Sequence, residues 1–442
     1  MNKQTDNDNI PELLAKGYIL LFALLPWSVE CSFGSWNLSL PCEPLIALLG
    51  IGLLWSIKTT AIKSLAAKPL FAISFLWILW MAISVCFSSM KTVSVKYWLV
   101  EAGQWWVFGI GMALWPGLWQ RVLPCFIFSM LGVAIYTIIH HGFFAFRADQ
   151  ALLAPMPFFP DHTMYAAVLA MLFFFVQIKD EGKGMLTQWL QRPGVRNGMA
   201  LFFLSALLLS TCRAALLSLG ITGAVFVLFY LYKKQRLLAL AAAVLGACCF
   251  LFIAEKFVDP VAKDVSVQER LNRWDCAQAM LATQPWTGYG PGTYPFQYQP
   301  FQQPEKMTRI SLRTPLLIRG PETYGRGGSA HSEYWQAASE MGWPGLALWL
   351  ALVSSVLCWG FRMAVRSTQK TTRYLALLST LGLLTFFIHA LANNFLHDAR
   401  IAAMVWGGMA WLLSVKSFNP PELHPQTTSI SHQDTPGVGL CS

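Results

Sequence analysis

Residues 199–232 form a run of 34 positions broken by a single charge, Arg213. A helix needs about 20 apolar residues to cross the hydrocarbon of a bilayer. The run is too long for one crossing and is expected to turn back at Thr211-Cys212-Arg213, giving two antiparallel spans. Comparable runs recur near 13–28, 43–57, 69–88, 97–116, 122–139, 162–178, 198–212, 214–232, 237–254, 343–360, 374–393 and 399–415. The expectation is an all-α integral membrane protein of about 12 transmembrane helices. Charged side chains make up only 12% of the chain, against about 25% in a soluble domain, and the mean hydropathy is +0.48. A soluble enzyme and a disordered chain are excluded. The formal charge of +10 is read as basic residues flanking spans, not as a nucleic-acid surface.

Basic residues in the short loops predict the orientation. The side that holds both termini carries 15 of them, including Lys58, Lys63, Arg192, Arg196, Arg362 and Arg366, and the opposite side 5. By the positive-inside rule both termini are cytoplasmic. The polar first twelve residues lack a basic region leading into a cleavage site, so no removable signal peptide is expected. The organisation then reads as an N-terminal bundle of about nine spans (1–254), one large external loop with short helices (255–342), about three further spans (343–416) and a disordered cytoplasmic tail (417–442). Long translocated loops are exempt from the charge rule, and a hydrophilic segment of this size usually carries function.

The ten cysteines show no CxxC and no Cys/His pairing, so no zinc site is expected. Cys31 and Cys42 share the first external loop, where a disulfide and two free thiols are both open. Ionisable residues at membrane depth mark functional sites by default. Arg213 has no acidic residue within thirty positions on either side; it either reaches headgroups or takes an anionic partner from elsewhere. In Val267–Met280 the spacing of Arg270, Trp274, Cys276 and Ala277 predicts an amphipathic helix. Arg270 and Arg273 lie one turn apart, where they suit either phosphate oxygens or salt bridges to Glu269 and Asp275. The turn Pro285-Trp286-Thr287-Gly288-Tyr289-Gly290-Pro291-Gly292 could bring backbone amides close to an anion. His331, at the membrane boundary, has the chemistry of a general base, as does the pair Asp161-His162; both also fit ordinary polar contacts.

Taken in order, Arg213 in its apolar turn, Arg270-x-x-x-Trp274, Pro285-x-x-Gly288-x-Gly290-x-Gly292, and His331 followed by Glu340-x-Gly342 resemble the O-antigen ligase and polymerase family of bacterial envelope glycosyltransferases. The likeness is best over residues 199–360. It departs from the family's pattern at Ser332, where Asn is frequent. The resemblance implies a GT-C-like transferase of the inner membrane with its large loop in the periplasm. It implies an undecaprenyl diphosphate-linked glycan as donor and a lipid A-core sugar as acceptor for a ligase, or a second carrier-linked glycan for a polymerase. It further implies that Arg213 and Arg270 receive the leaving diphosphate, with Arg273 or Arg326 as additional contacts, and that His331 handles the acceptor hydroxyl's proton, with inversion. The first external loop offers Glu30 and Glu43 but no closely spaced acidic pair of the DxD or ExD kind, and Asp6-Asn7-Asp8 lies on the wrong side, so metal-independent catalysis without a cofactor is expected.

Two rival classes bear on the same residues. A polytopic transporter or lipid flippase shares the helix plan, although its charges belong near the midplane and here they cluster at one face. A cell-wall transglycosylase of the shape, elongation and division type would rely on a loop acid such as Asp264, Asp275 or Glu333.

Overall fold

The computed structural model describes residues 10–33, 36–56, 65, 68–179, 185–237, 264–308 and 328–414, and these are mostly helical. In chain order the helices are α1 (Glu12–Leu24), α2 (Cys42–Ser56), α3 (Pro69–Phe87), α4 (Lys91–Gln104), α5 (Pro116–Gly142), α6 (His162–Phe175), α7 (Met185–Gln191), α8 (Pro193–Leu209), α9 (Arg213–Lys234), α10 (Val265–Thr283), α11 (Tyr294–Gln297), α12 (Glu333–Arg366), α13 (Lys370–His389) and α14 (Ala399–Ser414). Five of them, α3, α5, α9, α12 and α13, are long and apolar enough to cross a membrane, while α2, α6, α8 and α14 are apolar but shorter. Residues 238–254 of the expected span 237–254, the tail 417–442 and Arg326 lie outside the described residues.

The expected reversal near Arg213 is present. Helix α8 ends at Leu209, Thr211 turns the chain with φ 53°, and α9 starts at Arg213. Several segments differ from the expectation: α5 begins at Pro116 rather than 122, and α12 at Glu333 rather than 343. Helix α4 begins at Lys91 rather than 97 and runs on through a π-helical stretch, Trp105–Gly111. The first loop folds into an antiparallel hairpin, β1 (Val29–Phe33) with β2 (Trp36–Leu40), in which Cys31 faces Leu38. Cys31 and Cys42 are free thiols, and Cys42 is buried against the Ser28 hydroxyl.

Helices that are apolar on every side belong at the centre of a bundle. That is where α6 and α14 lie: every residue from Tyr165 to Leu172, and every residue from Arg400 to Leu412, is buried. Gly407 on α14 lets that helix approach the Trp119 ring of α5, where any Cβ would collide. Helix α13 packs on α6, α9 and α12, and α12 in turn carries α3 and α10. The loop segment has a small core of its own, built from Cys276, Ala277, Met280, Tyr294, Tyr298 and Ala330.

Helix α12 breaks at Gly342, whose φ of 69° and ψ of −169° are non-helical. Pro344 supplies no N–H to the Glu340 carbonyl, so acceptors near the kink need donors from elsewhere. Tyr289 N donates to Ser339 O at 3.1 Å, Gly290 N to Glu340 O at 2.8 Å, and Trp80 Nε1 to Met341 O at 2.9 Å. Reciprocally, Trp343 N donates to Pro285 O at 2.8 Å. The kink and the glycine turn are therefore one interlocked unit, which seats the loop segment on the end of the bundle.

Candidate active site

Helix α10 begins with an Asp N-cap. The Asp264 carboxylate accepts the backbone N–H of Ser266 at 3.0 Å and of Val267 at 3.3 Å, satisfying donors that an uncapped helix leaves free. The same carboxylate takes both arms of Arg213: Nη1 donates to Oδ2 at 2.9 Å and Nη2 to Oδ1 at 3.1 Å. The anionic partner that Arg213 lacks in its own neighbourhood is thus supplied from 51 positions away. The guanidinium beside it holds the Asp264 carboxyl below the usual carboxylate range.

Arg270 follows six positions later, about 9 Å along the helix axis. Its Nε donates to Ala392 O at 3.0 Å, across to the turn between α13 and α14, and its Nη1 donates to Ser266 O at 3.1 Å and to the Ser266 hydroxyl. Arg273 does not point the same way. It is buried, donates from Nε to Glu269 Oε1 at 2.8 Å and lies 4.1 Å from the centre of the Tyr298 ring. Thr308 Oγ1 donates to the other Glu269 oxygen at 2.6 Å. Of the two alternatives open for this pair, phosphate contact or ion pairing, Arg273 takes the second, in a buried setting instead of on a solvated face.

His331 precedes α12 with φ 51°, a left-handed conformation that few non-glycine residues adopt. Trp274 Nε1 donates to its carbonyl at 3.4 Å, and its own N–H goes to Ser329 Oγ at 3.2 Å. Ser332 then caps α12 by accepting from Trp335 N at 3.4 Å, a task that Ser and Asn share. Burial first, and then the positive charges of Arg273 and Arg270, lower the His331 imidazole to about 4. It is neutral at neutral pH and offers a lone pair to a hydroxyl.

Glu333 anchors the α13–α14 turn. Its Oε1 accepts the backbone N–H groups of Phe395 at 2.6 Å and Leu396 at 2.7 Å, while its own N–H donates to Ala390 O at 2.9 Å. Asp161 caps α6 through Thr163 N at 2.8 Å, with His162 Nδ1 3.1 Å from its Oδ1. Asp161 lies within electrostatic range of both Arg270 and His331. Arg213, Arg270, His331, Glu333, Asp161 and His162 therefore gather at one end of the bundle, around the head of α10 and the α13–α14 turn. Reading the residues alone missed the partnership of Asp264 with Arg213 and the role of Ala392. His389, at the end of α13 beside that turn, is buried, and neither ring nitrogen has a hydrogen-bond partner among the described residues. Among the described residues, no group of three or more His, Cys, Asp or Glu side chains is placed to hold a metal ion.

Residues 198–350 match the family model described as O-antigen ligase. No curated protein matches the chain. The matched segment runs from α8 across the loop segment into α12 and contains Arg213, Arg270 and His331. Over residues 198–350 the chain is similar to the O-antigen ligase family.

Proposed function

We propose that this protein is an O-antigen ligase-like glycosyltransferase of the bacterial inner membrane, with both termini in the cytoplasm and the loop segment in the periplasm. It moves a glycan from undecaprenyl diphosphate to a sugar hydroxyl of a lipid A core. The acceptor oxygen attacks the anomeric carbon from the face opposite the carrier. A new glycosidic bond forms, the bond from that carbon to the carrier's phosphate oxygen breaks with its electron pair, and the configuration inverts. The diphosphate gains negative charge as it leaves, and preorganised cations at that point lower the barrier most. Arg213 and Arg270 do this work, helped by the positive end of α10. His331 orients the acceptor hydroxyl and takes its proton. Arginines in this role make a metal ion or a cofactor unnecessary.

The observation that carries this reading is that Arg270 lies within electrostatic range of both Arg213 and the His331 imidazole, three residues of the matched segment drawn from positions up to 118 apart. A cluster at one end of the bundle favours a surface reaction over alternating access. The polymerase reading differs only in its acceptor, a second carrier-linked glycan. Deletion of the gene in its host separates the two. Loss of all long-chain glycan from lipid A is the outcome for a ligase, and a single attached repeat unit is that for a polymerase. Unchanged glycan on lipid A would exclude both.

A further inference from the structure

Asp264 performs two jobs at once. Its carboxylate caps α10 through Ser266 N and Val267 N, and it fills the fork of Arg213 with two near-parallel bonds of 2.9 and 3.1 Å. A guanidinium takes two oxygens of a phosphate with the same geometry, so Asp264 and a phosphate compete for the same N–H groups. We infer that Asp264 is a positioning residue that stands in for the donor's phosphate, holding the Arg213 fork at the head of α10 until the carrier diphosphate displaces it. The inference rests on the reading that Arg213 receives that diphosphate.

Three features suit Asp264 to a reversible hold. The Arg213 side chain is 70% exposed and that of Asp264 28%, and ion pairs in such settings are weak. A ligand of higher charge can therefore take the fork over. The cap does not depend on Arg213, so α10 keeps its first turn when the pair opens. Finally, Asp264 and Ser266 link the two guanidiniums in series: Arg213 donates to Asp264, Asp264 accepts from Ser266 N, and Ser266 O accepts from Arg270 Nη1. Arg213 is thereby kept in register with Arg270 before any donor arrives. The cost is affinity, because donor binds only molecules whose fork is free. An exposed pair of this kind corresponds to a factor of about two to five.

The test uses purified full-length protein in a transfer assay, with inorganic pyrophosphate as a competing probe. Asp264→Ser and Asp264→Asn both preserve an N-cap, but Ser is too short to reach Arg213 and Asn is uncharged. With Asp264→Ser, the pyrophosphate inhibition constant and the donor KM are expected to fall about two- to fivefold, the gain appearing in KM rather than in kcat. Asp264→Asn gives a smaller gain, and it serves alone should the Ser variant not accumulate. Combined with Arg213→Ala, neither substitution gives any gain, since the two act through one contact. Inhibition that is unchanged or weaker in both Asp264 variants overturns the inference. If Arg213→Ala weakens inhibition while the Asp264 variants do not strengthen it, only the stand-in role is lost. If Arg213→Ala leaves inhibition unchanged, the assignment of Arg213 to the diphosphate falls with it.

Discussion

The Glu340 carboxylate accepts the backbone N–H of Gly292 at 2.8 Å and, through its other oxygen, that of Tyr294 at 2.8 Å. The glycine turn of the loop is closed by an acidic side chain of its own chain. Gly292 has φ 72° and lies against the Tyr97 ring, and Gly288 with φ 64° lies against the backbone of Glu340 and Met341, so neither position has room for a Cβ.

Removing that carboxylate should unseat the loop. Glu340 is buried, and Gln336 Nε2 also donates to it. Glu340→Ala strands two backbone donors, at about 1–3 kcal/mol each. Thermal unfolding in detergent is expected to show the loss, with Glu340→Gln milder because it keeps one acceptor oxygen.

Arg273 should behave as a structural residue. Its partner Glu269 is almost fully buried, and truncating one member of such a pair leaves an uncompensated charge, costing about 3–5 kcal/mol. Arg273→Ala is expected to lower the unfolding temperature and yield, whereas Arg270→Ala lowers turnover with a smaller loss of stability. Equal stability of the two variants would argue that Arg273 is free to serve the donor.

If His331 takes the acceptor's proton, it sets a pH dependence. An imidazole at about 4 is neutral, and able to accept a proton, above that pH; protonation removes its lone pair. The kcat/KM for donor is expected to be level near neutrality and to fall as pH drops through about 4. The acid limb of kcat should lie higher, because bound diphosphate adds negative charge beside the ring and favours its protonated form. In His331→Gln the limb should vanish. A limb near the ordinary histidine value in free enzyme would contradict the buried setting.

Helices were legible where hydrophobic run length decides them. Helices α3, α9 and α13 start and end within a few residues of the apolar stretches, and the break at Thr211 follows from a run too long for one crossing. The hairpin at residues 29–40 was not legible, because two five-residue strands carry too short a pattern. The π-helical stretch in α4 was missed for a related reason, since an apolar run has the same composition whichever helix it forms. In the site, the helix carrying Arg270 was readable from its spacing. Its partners were not: Asp264 is 51 positions from Arg213, and Ala392 is 122 from Arg270. Contacts of that separation are set by how α10 seats on α12 and not by any local period. The glycine turn was readable as a place where backbone amides meet an acceptor, but not that the acceptor is the Glu340 carboxyl group.

The most direct measurement is the single-turnover rate of glycan transfer from undecaprenyl diphosphate to lipid A core by purified wild type, Arg213→Ala and Arg270→Ala protein. If the two guanidiniums receive the departing diphosphate, each alanine variant accumulates in the membrane yet transfers about 100- to 1000-fold more slowly. The corresponding lysine variants should recover only part of that rate, because a point charge replaces a planar fork. Transfer at the wild-type rate by either alanine variant would contradict the account.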